Sequence, residues 1–454
     1  MFHSRIIQGG MGVNISSWPL ARRVSMLGQL GTVSGVGLEK VLAQSLQTGD
    51  KGGHFRRALD HFPFPSVADE VYDTFFVESG VPFRIAPTYT INPSRLLISL
   101  TVCANFAIVW LAKEGHDYPV SINYLEKIAM PHIYAITGAM LAGVDYITMG
   151  AGIPLQIPDV IDAISDSKSA SYRIPVVGVN VKGFDMKFNA SDFFGCALPQ
   201  MKKPGFIPII ASNLLSTIVT RELPGRVYGF VVEEPTAGGH NAPPRRDGIY
   251  GAKDIVDYKK LGRLGIPFWI GGAHASPDKL DDAISEGAMG IQAGSIFALS
   301  DDSSMDPEIR RTLRRKGFNG ELGIRTDMRV SPTGFPFKVA ILDGTIAESD
   351  IFNQRVRLCN QGALVTLYER PDGLIGYRCA SEPIDRYVAK GGKIEDTEGR
   401  GCICNGLLAT AGLDSTGEVP IVTLGDDVSF LRKIMASADD SYTAKDAIDF
   451  LLGL

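Results

Sequence analysis

The decapeptide PTAGGHNAPP, residues 235–244, brings together residue types that could do chemistry at one point of the chain. Gly238 and Gly239 remove side chains where the backbone must turn sharply or approach a large flat ligand. His240 follows them with a ring that can exchange protons near neutral pH. The pattern predicts either a histidine beside a bound molecule or a simple glycine turn, and the surrounding elements must decide between the two.

Similar glycine turns occur elsewhere, each directly after a short apolar run. The chain repeats this unit (apolar run, small or polar residue, helical stretch) eight times. Strands that alternate with helices form parallel sheets, and fully buried parallel strands are continuously apolar. The pattern predicts an α/β fold, a (β/α)8 TIM barrel. A doubly wound sheet is the alternative, although GGMGVN lacks the GxGxxG spacing of that fold. The predicted strands lie within residues 5–12, 30–35, 119–127, 144–154, 206–213, 227–240, 266–274 and 289–298.

In such a barrel the functional groups lie at the C-terminal ends of the strands, and the turns after the last two strands commonly hold a phosphate. The corresponding turns here are IGGAH, with Gly271 and Gly272, and IQAGS, with Gly294 and Ser295. Their backbone N–H groups could bind a phosphate, although glycine turns without a ligand are the alternative. His274, directly after the first of these turns, is either a cofactor contact or a structural residue.

The predicted alternation of strands and helices is interrupted at two places and stops near residue 300, and these positions predict the domain organisation. Residues 1–300 are predicted to form the barrel, and residues 41–95 are an inserted helical segment or lid, since they are too long for a simple loop. A second excursion covers residues 170–203, with a hairpin at 174–183. The tail, residues 301–454, is predicted to be a mixed extension that packs on the barrel.

Composition excludes several classes of protein. The 454 residues carry a formal net charge of −5, so electrostatics give no reason to expect nucleic acid. The apolar stretch 96–112 contains three polar residues and predicts a buried helix, not a membrane span. No secretion signal is visible, so we expect a cytoplasmic protein. Four of the six cysteines could hold zinc or could be ordinary reduced thiols, and we assign no metal. These four are Cys359, Cys379, Cys402 and Cys404.

Six motifs resemble, in order, those of FMN-dependent barrel flavoenzymes. That family includes nitronate monooxygenases, formerly 2-nitropropane dioxygenases, and FMN-dependent enoyl-acyl-carrier-protein reductases. The resemblance covers residues 5–40 and 119–300, and the tail resembles that of larger nitronate monooxygenase-like proteins. The motifs are QGGMG (8–12), GAGIP (150–154), PIIASN (208–213), AGGH (237–240), IGGA (270–273) and IQAGS (291–295).

The resemblance implies a site that binds FMN. His240 would move a proton to or from substrate. Asn123 would hydrogen-bond the flavin, and Ser212 would lie near the ribityl chain or phosphate. The remaining implied contacts come from glycine-rich turns: Gly9, Gly10 and Met11 against the flavin ring, Gly238 and Gly239 near the cofactor, and Gly271, Gly272, Gly294 and Ser295 around the phosphate.

Three functions stay open. The first is oxidation of alkyl nitronates with O₂, and the second is reduction of enoyl thioesters with NAD(P)H in fatty-acid or polyketide synthesis. The third is a flavin-binding partner protein without turnover. The sequence around His240, with Asn241 and two prolines after Ala242, departs from the family and leaves the substrate undetermined. It also leaves open whether the chain forms a homodimer.

Overall fold

The barrel predicted from the sequence is confirmed. The computed structural model describes residues 4–78, 84–178, 183–245, 248–414 and 416–454. Eight parallel strands form one sheet in which each strand pairs with its neighbours along the chain. Backbone hydrogen bonds between the first strand and Leu30, with Gln8 N to Leu30 O at 2.9 Å, close the sheet. The barrel strands are Ile6–Gln8, Gly31–Ser34, Val120–Leu125, Tyr146–Gly150, Gly205–Ile210, Phe230–Glu233, Phe268–Gly271 and Gly290–Ala293.

Alternate strand residues point into and out of the barrel, and the inward set fills its N-terminal end. Ile7, Ile207, Val231 and Trp269 belong to one buried cluster at that end. The Trp269 indole N–H donates to Ser4 O at 2.8 Å, which satisfies the polar atom of this large ring. This buried cluster occupies the N-terminal end of the barrel, and the main cavity lies at the opposite, C-terminal end.

Helices surround the barrel. The C-terminal helix Ala444–Leu452 packs against Trp18–Met26 and Pro277–Ser285, so it joins the outer layer between the helix after the seventh strand and the helix after the first. The helices that follow the strands are Trp18–Met26, Leu38–Gln47, His132–Leu141, Ile157–Ser165, Asn213–Glu222, Tyr258–Gly262, Pro277–Ser285 and Ser295–Ala298.

The segment between the second and third strands is helical. His54–Leu59 and Pro65–Phe75 pack against the long helix Arg95–Lys113, which carries the apolar stretch 96–112. That helix is long and apolar enough to cross a membrane, but 78% of its most apolar window is buried inside the protein. The prediction of a buried helix is therefore confirmed.

Shorter elements complete the chain. The strands Ala170–Ile174 and Phe184–Phe188 form an antiparallel pair that flanks the predicted hairpin segment 174–183, of which residues 179–182 lie outside the described residues. The tail contributes two further antiparallel pairs. These strands are Ile324–Asp327 with Phe337–Ala340 and Thr366–Glu369 with Ile375–Arg378. Two further short helices lie before residue 300, Ala190–Phe194 and Ala252–Asp254. The tail helices are Pro307–Asn319, Ser349–Gln354, Ile384–Ala389, Ile394–Thr397, Ile403–Thr410 and Leu431–Ile434.

Candidate active site

A cavity of about 260 Å³ lies at the C-terminal ends of the barrel strands. It collects turns from the first, third, sixth, seventh and eighth strands, which are far apart in sequence. Nearly all the residues singled out from the sequence line it. They are Gly9, Gly10, Met11, Asn123, Gly238, Gly239, His240, Gly271, Gly272, Gly294 and Ser295.

Ser212 is the exception. It lies outside the described lining of the cavity, at the start of helix Asn213–Glu222, where its Oγ accepts a hydrogen bond from Leu215 N at 3.1 Å. A serine at this position satisfies one of the free N–H groups of the first helical turn. The structure thus gives Ser212 a capping role, and the cofactor contact that the resemblance implied stays a prediction.

Protein packing by itself requires a glycine at Gly10. A Cβ atom there would lie 2.2 Å from Asn123 Cβ. The Asn123 amide is held from both sides, because its Nδ2 donates to Gly10 O at 3.0 Å and its Oδ1 accepts from Thr148 Oγ1 at 3.0 Å. These two bonds fix the orientation of the side chain that faces the cavity.

The two glycines before His240 have different surroundings. A Cβ at Gly238 would lie 2.9 Å from the carbonyl carbon of Leu424, so the tail backbone passes directly over this residue. Gly239 has a φ of +83° and donates its N–H to Thr423 Oγ1 at 2.7 Å. Glycine tolerates that left-handed conformation without the strain a side chain would add. The sequence predicted a ligand as the reason for the pair, whereas at Gly238 the close neighbour is the tail.

The predicted phosphate turns are also tied to the rest of the chain. Gly272 has a φ of +114°, and a Cβ there would lie 2.7 Å from Thr236 Oγ1. Ser295 Oγ accepts a hydrogen bond from Gly425 N at 2.8 Å. Both residues line the cavity, and a role in binding phosphate stays a prediction.

His240 is held by the tail segment 331–338. Its Nε2 lies 2.7 Å from Ser331 Oγ, and its ring packs edge-on against Phe337 with 4.8 Å between the ring centres. Backbone bonds from Lys338 N to Gly239 O and from Asn241 N to Pro336 O, 2.9 and 3.0 Å, join the same two segments. With Nε2 engaged, Nδ1 is the ring nitrogen left for a bound molecule.

Burial and, to a smaller extent, the nearby positive charge of Lys127 together lower the pKa of His240 to about 3. The imidazole is therefore neutral over the whole physiological range. A neutral imidazole is a hydrogen-bond donor or acceptor, but it is a weak base. This limits the proton-transfer role that the sequence suggested.

Two further cavity residues were not predicted as site residues. Gln292, in the eighth strand, lines the cavity, and its buried Nε2 has no partner among the described residues. Glu233, at the end of the sixth strand, lines the cavity too, and burial raises its pKa to about 8, against the opposing charge of Lys127. The sequence held one signal for both, because each is a polar residue in an otherwise apolar strand.

The cover of the cavity comes from the tail. Of the described residues that line it, none falls within 41–95, and a role of this insertion as a lid stays a prediction. The insertion packs on the outside of the barrel through Arg95–Lys113. The tail residues that line the cavity are Phe337, Gln361, Ala363, Leu364, Ile403, Cys404, Leu407, Leu408, Thr423, Leu424, Gly425 and Asp427.

His274 has a structural partner. Its Nε2 lies 3.0 Å from Glu234 Oε2, and Tyr258 hydrogen-bonds the same carboxylate. Burial alone would raise the pKa of Glu234, but these hydrogen bonds lower it overall. His274 also lines the cavity, so a cofactor contact stays open. Within the described ranges, no three His, Cys, Asp or Glu side chains are arranged to hold a metal ion, the tail cysteines included.

Comparison with solved structures supports the fold. The enoyl reductase domain of MlnA from the macrolactin biosynthesis cluster of Bacillus amyloliquefaciens matches with a TM-score of 0.50 and 11% identity, over 99% of this chain and 93% of that one. The chain shares its fold with this enzyme. No protein-family model matches the sequence, and no curated protein is significantly similar to it.

Two other structures match over the whole chain with lower scores. FabK from Thermotoga maritima gives a TM-score of 0.47 at 14% identity and is covered over 92% of its length. A nitroalkane oxidase from Streptomyces ansochromogenes gives 0.46 at 13% identity and is covered over 95%.

Proposed function

We propose that this protein is an FMN-dependent oxidoreductase that oxidises alkyl nitronates with O₂. The observation that carries the proposal is the convergence of four glycine turns, Asn123 and His240 on one cavity at the C-terminal end of the barrel. Sites at this end of a (β/α)8 barrel are where its catalytic groups lie. Bound FMN would accept electrons from the nitronate and pass them to O₂.

The residues present fit a flavin. The ring carries carbonyl oxygens that need donors, and the buried Gln292 Nε2 is a donor without a described partner. Asn123 presents an amide whose orientation is fixed by Gly10 and Thr148. Gly239 has no atom within 4 Å of where its Cβ would be, which leaves room for a ligand against the backbone. Gly9, Gly10 and Met11 would lie along the ring, as the resemblance implies.

The electrostatics of His240 favour a nitronate over a neutral nitroalkane as substrate. A nitroalkane must lose a proton to a base, and a histidine with a pKa of about 3 is a weak one. A nitronate is already an anion, so His240 has only to donate a hydrogen bond to it through Nδ1–H. We therefore expect no ionisation near pH 6.5 in the pH profile of kcat/KM for nitronates.

Reduction of an enoyl thioester by NAD(P)H is the second candidate, and Glu233 favours it. That reaction needs an acid to protonate the α-carbon after hydride reaches the β-carbon. The carboxyl of Glu233, with its pKa raised to about 8, is protonated for most molecules at neutral pH and borders the cavity. The two candidates therefore assign different residues to the chemistry.

Anaerobic mixing of the purified protein with each reductant would test the proposal. We expect a bound flavin that is released by denaturation and identified as FMN by chromatography. Nitronate should bleach the flavin absorbance without NAD(P)H. Bleaching by NAD(P)H alone would favour the enoyl reductase. A protein that binds flavin but is reduced by neither would be a binding partner without turnover, and recovery of FAD or of no flavin after reconstitution would refute the cofactor.

A further inference from the structure

One buried carboxylate in the cavity has no role in the chemistry above. Glu39 lies in the first turn of helix Leu38–Gln47 and is 8% exposed. Apart from its own backbone amide, its carboxylate has no hydrogen-bond partner among the described residues. It lines the main cavity and also a side cavity of about 20 Å³ next to it. A buried acidic group without a partner is costly, so it calls for an explanation.

The adjacent cation does not neutralise Glu39 directly. Lys40 Nζ donates to the carbonyl oxygens of Ala86 and Pro87 at 3.0 and 2.7 Å. These bonds hold the ammonium group at the carbonyls of another segment. Its charge still acts on Glu39, but burial has the larger effect and raises the pKa of the Glu39 carboxyl.

A second acceptor faces the same space. Gln361, from the tail, lines both cavities, and its Oε1 is buried without a partner in the described part of the chain. Two oxygen-bearing side chains, one of them ionisable, therefore border one small volume. Gln361 Oε1 lacks a donor, and a donor that would also compensate the ionised form of Glu39 is a cation.

The main cavity around these oxygens is apolar. Leu364, Leu407 and Leu408 line it on the tail side, and Val36 lines it beside the second strand. A hydrocarbon chain would bury its surface there, while a polar end would meet Glu39 and Gln361. Glu39 is also close to the N-terminal end of its helix, which stabilises a negative charge.

We propose that Glu39 and Gln361 bind the ammonium group of an aliphatic amine, whose hydrocarbon chain lies along the apolar lining of the cavity. This inference rests on the proposed function in one respect only: the substrate would then carry an amino group remote from its reacting carbon. Binding of an amine needs no turnover, so the inference can be tested apart from the reaction.

Isothermal titration of the full-length protein with three probes of equal chain length would test it. Hexylamine should bind, while 1-hexanol and hexanoate should bind at least about tenfold more weakly, since neither compensates the carboxylate. Glu39→Gln should weaken hexylamine binding by about tenfold to a hundredfold, and Gln361→Met by a smaller factor. Glu286→Gln, on an exposed residue of the barrel exterior, is the matched control and should bind hexylamine like the wild type.

Equal binding of hexylamine and 1-hexanol would overturn the proposal, because the apolar lining alone would then explain affinity. So would unchanged hexylamine binding in a folded Glu39→Gln protein, or no amine binding by the wild type. These results are independent of the flavin experiment. A protein that contains FMN but binds no amine refutes only the ammonium site, and one that binds the amine but no flavin refutes only the proposed function.

Discussion

The two sides of the cavity are built from different kinds of structure. The barrel side consists of turns that follow regular strands, so Gly9, Asn123 and Gly271 are placed by the geometry of one closed sheet. The tail side consists of the start of the short strand Phe337–Ala340, one short helix, Ile403–Thr410, and irregular segments, which reach the cavity from residues 337–427. The difference separates two tasks. A sheet can hold a cofactor in one position, while a variable cover can adapt the same cofactor to a particular substrate.

The histidine lies where these two sides meet. Its backbone belongs to the loop after the sixth strand, but Ser331 and Phe337 of the tail fix its ring. The tail is therefore more than a cover, because it orients the one imidazole that we place in the chemistry. Variants on the barrel side and on the tail side can therefore test whether the barrel side binds the cofactor while the tail side acts on the substrate and the histidine.

Replacing the histidine should have the largest effect. We expect His240→Ala to retain FMN, whose predicted contacts come from backbone turns. With a preformed nitronate it should lose activity by about tenfold to a hundredfold, because the hydrogen bond donated by the neutral ring is lost. With an enoyl thioester, whose proton we assign to Glu233, the loss should be smaller. Flavin content and steady-state rates with each substrate measure this. A larger loss with the enoyl thioester than with the nitronate would mean that His240 moves a proton after all.

A variant on the barrel side should act on the cofactor instead. Gly294 has room for a side chain within the protein, since its Cβ would meet only Met11, with Sδ at 3.4 Å. Gly294→Val should therefore fold and yet fill space needed by FMN, and we expect most of the bound flavin to be lost. Gly272→Val is a poorer test, because its φ of +114° would strain any side chain. Gly262→Ala, on the barrel exterior with no atom near its Cβ, is the control. Full flavin occupancy in Gly294→Val would show that the cofactor lies elsewhere.

A variant on the tail side should act through the histidine. Ser331→Ala removes the hydroxyl 2.7 Å from His240 Nε2 and leaves the ring against Phe337. Loss of one hydrogen bond of this kind predicts about a tenfold fall in kcat with little change in KM or flavin content. Ser331→Thr should restore the rate. Thr333, which bonds Ser331 Oγ at 2.7 Å but not the ring, is the matched position, and Thr333→Ala should have a smaller effect. A loss confined to KM would place Ser331 in substrate binding.

The difference between the barrel side and the tail side of the cavity also explains which features could be predicted from the sequence. The strands were predictable because each is a continuous apolar run that ends in Gly, Ser or Asn, and a barrel brings those ends together. The contact between His240 and Ser331 joins residues 91 positions apart through irregular backbone, and no periodicity marks it. Gln292 and Glu39 were missed for another reason. Gln292 Nε2 is buried without a partner among the described residues, and the side chain of Glu39 is buried against the cavity, which only the folded chain shows.

Ser212 offers the smallest and sharpest test, because sequence resemblance and structure assign it different roles. As a helix cap, Ser212→Ala should lower the free energy of unfolding by about 1 kcal/mol and leave FMN occupancy unchanged. Ser276 caps Pro277–Ser285 in the same way, with Oγ accepting from Lys279 N at 3.3 Å. Ser276→Ala should therefore lower the free energy of unfolding by a similar amount. Denaturant unfolding and flavin content of both variants make the comparison. If Ser212→Ala alone lost flavin, the serine would reach the cofactor after all, and the barrel side of the site would extend to the fifth strand.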